Sequence, residues 1–135
     1  MEDFWVFVYG TLKRGQVRQA CWPIRPIEIA EAWTRGALYN GPSYPAMRHG
    51  GDRVRGEGWC FDLQDRRLVL KVLDEIEGTY SDDRPNLYDR VLRGIHLLGE
   101  SERSVEASLY LYATDPSADG FSRVQPDEEQ WVTWP

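Results

Sequence analysis

Metal and disulfide chemistry have little to build on in this sequence. It holds two cysteines, Cys21 and Cys60, and two histidines, His49 and His96, none with a partner at ligating spacing. No C-x-x-C pair or Cys/His cluster occurs, which excludes a zinc site and the framework of a disulfide-rich secreted domain. Neither histidine has a serine or cysteine at a spacing that suggests a hydrolytic triad. Long hydrophobic runs are also missing, and no segment approaches the roughly 20 apolar residues of a membrane span. Met1-Glu2-Asp3 is acidic, and the apolar run behind it is too short for a signal peptide, so a cytoplasmic location is expected. Positive charge is in deficit, with 16 Lys and Arg against 22 Asp and Glu and a net charge of −6. Such a chain is a poor partner for nucleic acid or an anionic membrane surface. Nucleotide-binding glycine motifs are absent too. No G-x-G-x-x-G occurs. Gly10 and Gly15 match the glycines of G-x-x-x-x-G-K-[ST], but Gln16 and Val17 stand where the lysine and hydroxyl are needed. No cofactor and no metal is implied.

Aromatic residues, in contrast, are plentiful. Six tryptophans, seven tyrosines and four phenylalanines lie mostly in strand-like surroundings, punctuated at short intervals by glycine and proline. This favours several short strands over a helical bundle. At 135 residues the chain is expected to form one domain, residues 1–135, able to bury its own core. Phe4-Trp5-Val6-Phe7-Val8-Tyr9 is the strongest strand signal, six β-favouring residues in a row. Gly10 is expected to end it by turning at positive φ. Successive backbone N–H groups in the turn that follows can form a nest for a carboxylate or phosphate. A helix starting near Arg14 would add its positive dipole end. The same residues also fit a plain tight turn, and the local pattern does not choose between the two.

Further along, Gln16 to Trp22 reads as a short helix stopped by Pro23. Ile27 to Tyr39 reads as a strand bent or bulged at Gly36. His49-Gly50-Gly51-Asp52 reads as a hairpin connection, with Arg53 to Leu63 the next strand. Asp65 is a plausible N-cap for a helix whose face carries Leu68, Val69, Val72, Leu73 and Ile76, ended by Gly78. Strands follow at Leu87–Leu98 and Ser104–Ala113. The tail from about residue 114 is expected to be peripheral, with Trp131 and Trp134 either folding back or mobile. The pattern is α+β, and internal glycines in long strands suggest a small mixed or antiparallel β-barrel with one main packed helix.

Acidic residues gather at the end of that helix, Asp74-Glu75-Ile76-Glu77-Gly78. On a helical wheel Glu75 and Glu77 border the apolar stripe and Asp74 points away. Partial burial and the negative end of the helix dipole both raise the pKa of Glu77, which suits a general acid and base. Solvated charges at a helix end account for the same spacing.

Tyr9-Gly10-Thr11-Leu12-Lys13-Arg14-Gly15 resembles the opening signature of the gamma-glutamyl cyclotransferase-like family, which includes the gamma-glutamylamine cyclotransferases. Leu73-Asp74-x-x-Glu77-Gly78 followed by Tyr88-Asp89-Arg90 is similar to its second signature. Between and beyond lie Gly36-Ala37-Leu38-Tyr39 with Tyr44-Pro45-Ala46, Val54-Arg55-Gly56-Glu57, and Ala107-Ser108-Leu109-Tyr110, all in the family's order. The resemblance implies a barrel with a packed helix, Glu77 as the catalytic acid and base, and a loop whose backbone holds the α-carboxylate end of a γ-glutamyl group. The substrate-binding residues so implied are Tyr9, Gly10, Thr11 and Leu12, and Tyr44, Tyr88 and Tyr110 are candidates to line the pocket. The expected partner is a small γ-glutamyl compound, cyclised to 5-oxoproline, and the expected state is a monomer or weak homodimer. Two other classes remain open: a module that senses a small carboxylate without turnover, and an interaction protein using the tail tryptophans. Glu57 and Arg90 read as salt-bridge residues before anything else.

Overall fold

The run of β-favouring residues forms a strand buried on both faces. In a computed structural model describing residues 2–99 and 102–135, β1 (Asp3–Val8) is buried from Phe4 onward. It lies between β3 (Pro45–Asp62), paired antiparallel with Phe4 opposite Phe61, and β5 (Arg103–Tyr112), paired parallel with Trp5 opposite Ala107. β2 (Glu28–Asn40) pairs antiparallel with β3 along its length and with β4 (Tyr88–Leu97), and β4 pairs antiparallel with β5. The five strands therefore close in the order β1-β3-β2-β4-β5, an α+β barrel with one helix, α1 (Arg66–Glu77), against its wall.

Two-residue periodicity divides the core. Phe4, Val6 and Val8 share one cluster with Val69, Leu70 and Leu73 of α1. Trp5, Phe7 and Tyr9 face a second, with Leu38, Met47, Ile95 and Leu109, that fills the barrel. The central strand thus bonds the helix to the barrel through its side chains. Burying a side chain of this size contributes about 1.5–3 kcal/mol, and β1 does so on both faces.

Several local expectations are corrected. Gly10 is not at positive φ; a Cβ there would stand 2.6 Å from Pro45 Cγ, so glycine is required by close packing. Gln16 to Trp22 holds only a 3₁₀ turn, Gln19–Cys21, and so brings no α-helix N-terminus to the loop. The β2–β3 hairpin turns at residues 41–44, and Gly41 N–H donates to the Tyr44 carbonyl at 3.2 Å. His49, Gly50 and Gly51 are extra residues bulged between Arg48, opposite Ala37, and Asp52, opposite Gly36. The bulge at Gly36 is thus present, with its partner bulge where the hairpin was expected. Asp65 precedes α1 without a side-chain cap bond, whereas Asp62 Oδ1 accepts from Gln64 N–H at 3.0 Å in the 3₁₀ turn before it.

The tail folds back. β6 (Ser122–Arg123) adds to β2, and β7 (Trp131–Val132) adds in parallel to β3 with Val132 fully buried. Trp134 Nε1 donates to Asn40 Oδ1 at 2.9 Å, and Lys13 Nζ donates to the Trp134 carbonyl at 2.7 Å.

Candidate active site

A turn of uneven polarity follows β1. The carbonyls of Gly10, Thr11 and Leu12 all accept: from Lys13 N–H at 3.1 Å, Arg18 N–H at 2.8 Å and Trp22 Nε1 at 3.0 Å. The amides of the same three residues make no hydrogen bond among the described residues. Donors are therefore left over where the turn lines a cavity, which is the condition for binding an anion. Glu57 fixes the turn from below. It is buried (7% exposed), accepts from Arg14 N–H at 2.8 Å and from Trp59 Nε1 at 3.2 Å, and pairs with Arg14 Nε at 2.9 Å. Its salt-bridge reading holds, with a positioning effect on the loop.

The other wall is the end of α1. Gly78 takes φ 65°, ψ 43° and closes the helix with a left-handed residue. Thr79 N–H then donates to the Asp74 carbonyl at 2.8 Å, and Thr79 Oγ1 to the Tyr88 carbonyl at 2.7 Å. Asp74, placed away from the apolar face by the wheel, accepts from the Tyr110 hydroxyl at 2.6 Å and pairs with Arg90 at 3.0 Å. Glu75, placed at the border, is exposed instead. The buried face of α1 runs through Val69, Leu70 and Leu73 and leaves Leu68 exposed, so it differs from the expected face along the whole helix and not only at its end.

Between the two walls lies a cavity of about 70 Å³. Tyr9, Gly10, Thr11, Leu12, Tyr44, Glu77, Tyr88 and Tyr110 all line it, so every candidate site residue comes to one place. Phe7, Val8, Arg18, Pro45, Ile76 and Leu87 complete the lining. Glu77 is half-buried, and loss of hydration pushes its pKa up to about 7, with the Arg18 charge pulling the other way. The tyrosines divide by their hydroxyls. Tyr9 donates to the Tyr110 carbonyl at 2.6 Å, Tyr88 to the Pro45 carbonyl at 2.7 Å, and Tyr110 to Asp74. Burial holds all three well above the usual phenol range. Tyr44 alone of the four makes no such bond among the described residues, and its hydroxyl is available to a ligand.

Residues 6–133 match the family described as Gamma-glutamyl cyclotransferase, AIG2-like. The chain belongs to this family. A mouse AIG2-like protein is similar over 100% of this chain and 97% of its own, at 25% identity and a TM-score of 0.65. An Arabidopsis thaliana protein is similar over 87% of this chain and 74% of its own, at 26% identity and a TM-score of 0.62. A gamma-glutamyl cyclotransferase of known structure shares the fold over 96% of this chain and 74% of its own, at 17% identity and a TM-score of 0.53. No curated protein matches significantly in sequence.

Arg18 is the charged cavity residue that sequence reasoning missed. It lies in an irregular loop, brought to the cavity by its backbone bond to Thr11, and no spacing pattern signals it. Among the described residues no group of His, Cys, Asp or Glu could hold a metal ion, and no helix is long and apolar enough to cross a membrane.

Proposed function

We propose that the protein releases 5-oxoproline from a γ-glutamyl amine or γ-glutamyl amino acid by intramolecular cyclisation. The α-carboxylate rests on the amides of Gly10, Thr11 and Leu12. The α-amine loses a proton to Glu77 and attacks the γ-carbonyl carbon of the same molecule. The new C–N bond closes the ring, the bond to the leaving nitrogen breaks, and Glu77 returns the proton to that nitrogen. Nothing else is consumed.

Because both reacting groups belong to one molecule, the cavity's task is to hold it folded, a source of large effective molarity. Proton transfer through a positioned carboxyl adds on the order of 10²- to 10⁴-fold and works best when its pKa is near the working pH. The observation that carries the reading is one half-buried carboxyl, raised to about pKa 7, in the same small cavity as three undonated amides.

Release of 5-oxoproline from a panel of γ-glutamyl compounds is the direct test. Glu77→Gln is expected to lose at least about 100-fold in kcat while still binding 5-oxoproline. An E77Q protein with the native rate overturns the assignment. A wild-type protein that is stabilised by 5-oxoproline but forms none from any of the panel is a binding module instead.

A further inference from the structure

The cavity holds two charged side chains, Glu77 and Arg18. The mechanism above uses Glu77 and gives Arg18 no contact with the substrate. Its guanidinium makes no hydrogen bond or ion pair among the described residues, unlike that of Arg14, paired with Glu57, or of Arg90, paired with Asp74. A guanidinium that lines a cavity and has no protein partner keeps its donors free for a ligand.

Its place in the cavity says what that is. Phe7, Val8, Tyr9, Gly10, Thr11, Leu12 and Pro45 are buried and form the floor. Arg18 is half-buried, beside Val17, which is 80% exposed. With Leu87, which is 41% exposed, and the half-buried Tyr44, Ile76 and Glu77, it forms the more exposed part of the lining, and we take this part as the mouth. A γ-glutamyl group seated with its α-carboxylate on the floor amides sends its leaving group out through the mouth. The floor already supplies donors for one carboxylate, so the cation at the mouth is placed for another.

We propose that Arg18 is a specificity-determining residue, recognising a carboxylate on the leaving amine and so favouring γ-glutamyl amino acids over γ-glutamyl alkylamines. This rests on the cyclisation reading of the same cavity. A guanidinium–carboxylate contact is charge-assisted and directional, and a substrate without the carboxylate leaves the guanidinium unpaired.

The test compares γ-glutamylalanine with γ-glutamylethylamine by 5-oxoproline release in wild type, Arg18→Gln and Arg18→Lys. Arg18 also holds the Glu77 pKa down, so any substitution alters proton transfer for both substrates. The ratio of their kcat/KM values at one pH cancels that common effect. Wild type is expected to favour γ-glutamylalanine by at least about tenfold, mainly through KM. R18Q is expected to bring the ratio near unity, and R18K to restore part of it. Equal losses on both substrates in R18Q place Arg18 on the shared glutamyl portion and overturn the proposal, as does a wild type that prefers γ-glutamylethylamine. Failure of the wild type on both substrates is a different result, which refutes the cyclisation reading and this proposal with it.

Discussion

The Tyr110 hydroxyl of β5 donates to Asp74 Oδ1 at 2.6 Å, three residues before Glu77 on α1. This bond, with the Arg90 pair to the same carboxylate, fixes the turn of helix that carries the carboxyl lining the cavity. Tyr110→Phe removes the donor without changing the ring. It is expected to lower stability by about 1.5–3 kcal/mol, the range for a hydrogen bond to a charged group, and to lower kcat more than it raises KM. Thermal unfolding and steady-state kinetics together check this. A normal kcat in a destabilised protein would mean that Glu77 is held by other contacts.

Glu77 ionises near 4.5 in an unfolded chain and near 7 in the fold. Between these values the folded protein keeps a proton that the unfolded chain has released, so stability falls as pH rises from about 4.5 to about 7. Glu77→Gln is therefore expected to match wild type at pH 4 and to exceed it at pH 8 by on the order of 1–3 kcal/mol. Denaturant unfolding at the two pH values measures the difference. In the proposed cyclisation the basic form is the active one, so kcat/KM is expected to climb to a plateau with an apparent pKa near 7. Arg18→Gln is expected to move that limb to higher pH. A profile flat from pH 5 to 8 would remove Glu77 from the proton path.

Tyr44 and Tyr88 line the same cavity with different commitments. Tyr44→Phe removes a hydroxyl that has no protein partner, and is expected to raise KM roughly 2- to 10-fold with the melting temperature unchanged. Tyr88→Phe deprives the buried Pro45 carbonyl of its donor, and is expected to cost about 1–3 kcal/mol of stability. The opposite pattern in kinetics and melting would exchange their roles.

Gly10 is pressed against Pro45, with room for no side chain. Gly10→Ala puts a methyl group 2.6 Å from Pro45 Cγ and 2.8 Å from Cδ. The expected outcome is a loss of about 1–3 kcal/mol in stability. The turn's amides shift with it, and 5-oxoproline binding, read by calorimetry, is expected to weaken at least tenfold. Unaltered binding would detach the amides from the carboxylate.

What could be read from the sequence was what is encoded locally. β1, α1 with its Gly78 stop and the irregularity at Gly36 each arise from residues adjacent in the chain, and each stands within a residue or two of expectation. Motif order placed Tyr9–Leu12 and Glu77 in one site, and they do share a cavity. What escaped is set by partners distant in sequence. The packing of Pro45 decides Gly10, the Tyr110 bond decides Asp74, and pairing with β3 decides the tail. Arg18 escaped for the same reason, since a loop bond to Thr11 brings it to the cavity.

The bases of the two connections at the mouth are tied down separately. Arg18 hangs from the Thr11 carbonyl, and Leu87 N–H donates to the Gly78 carbonyl at 2.9 Å. Neither residue lies within a strand, although the Leu87 carbonyl accepts from Ala113 N–H at 3.0 Å just beyond the β4–β5 pairing. Their side chains line the pocket while the five barrel strands pair through other residues. Under the proposed cyclisation, a scaffold made this way fits new leaving groups through side chains on short loops, apart from the wall that carries the carboxyl.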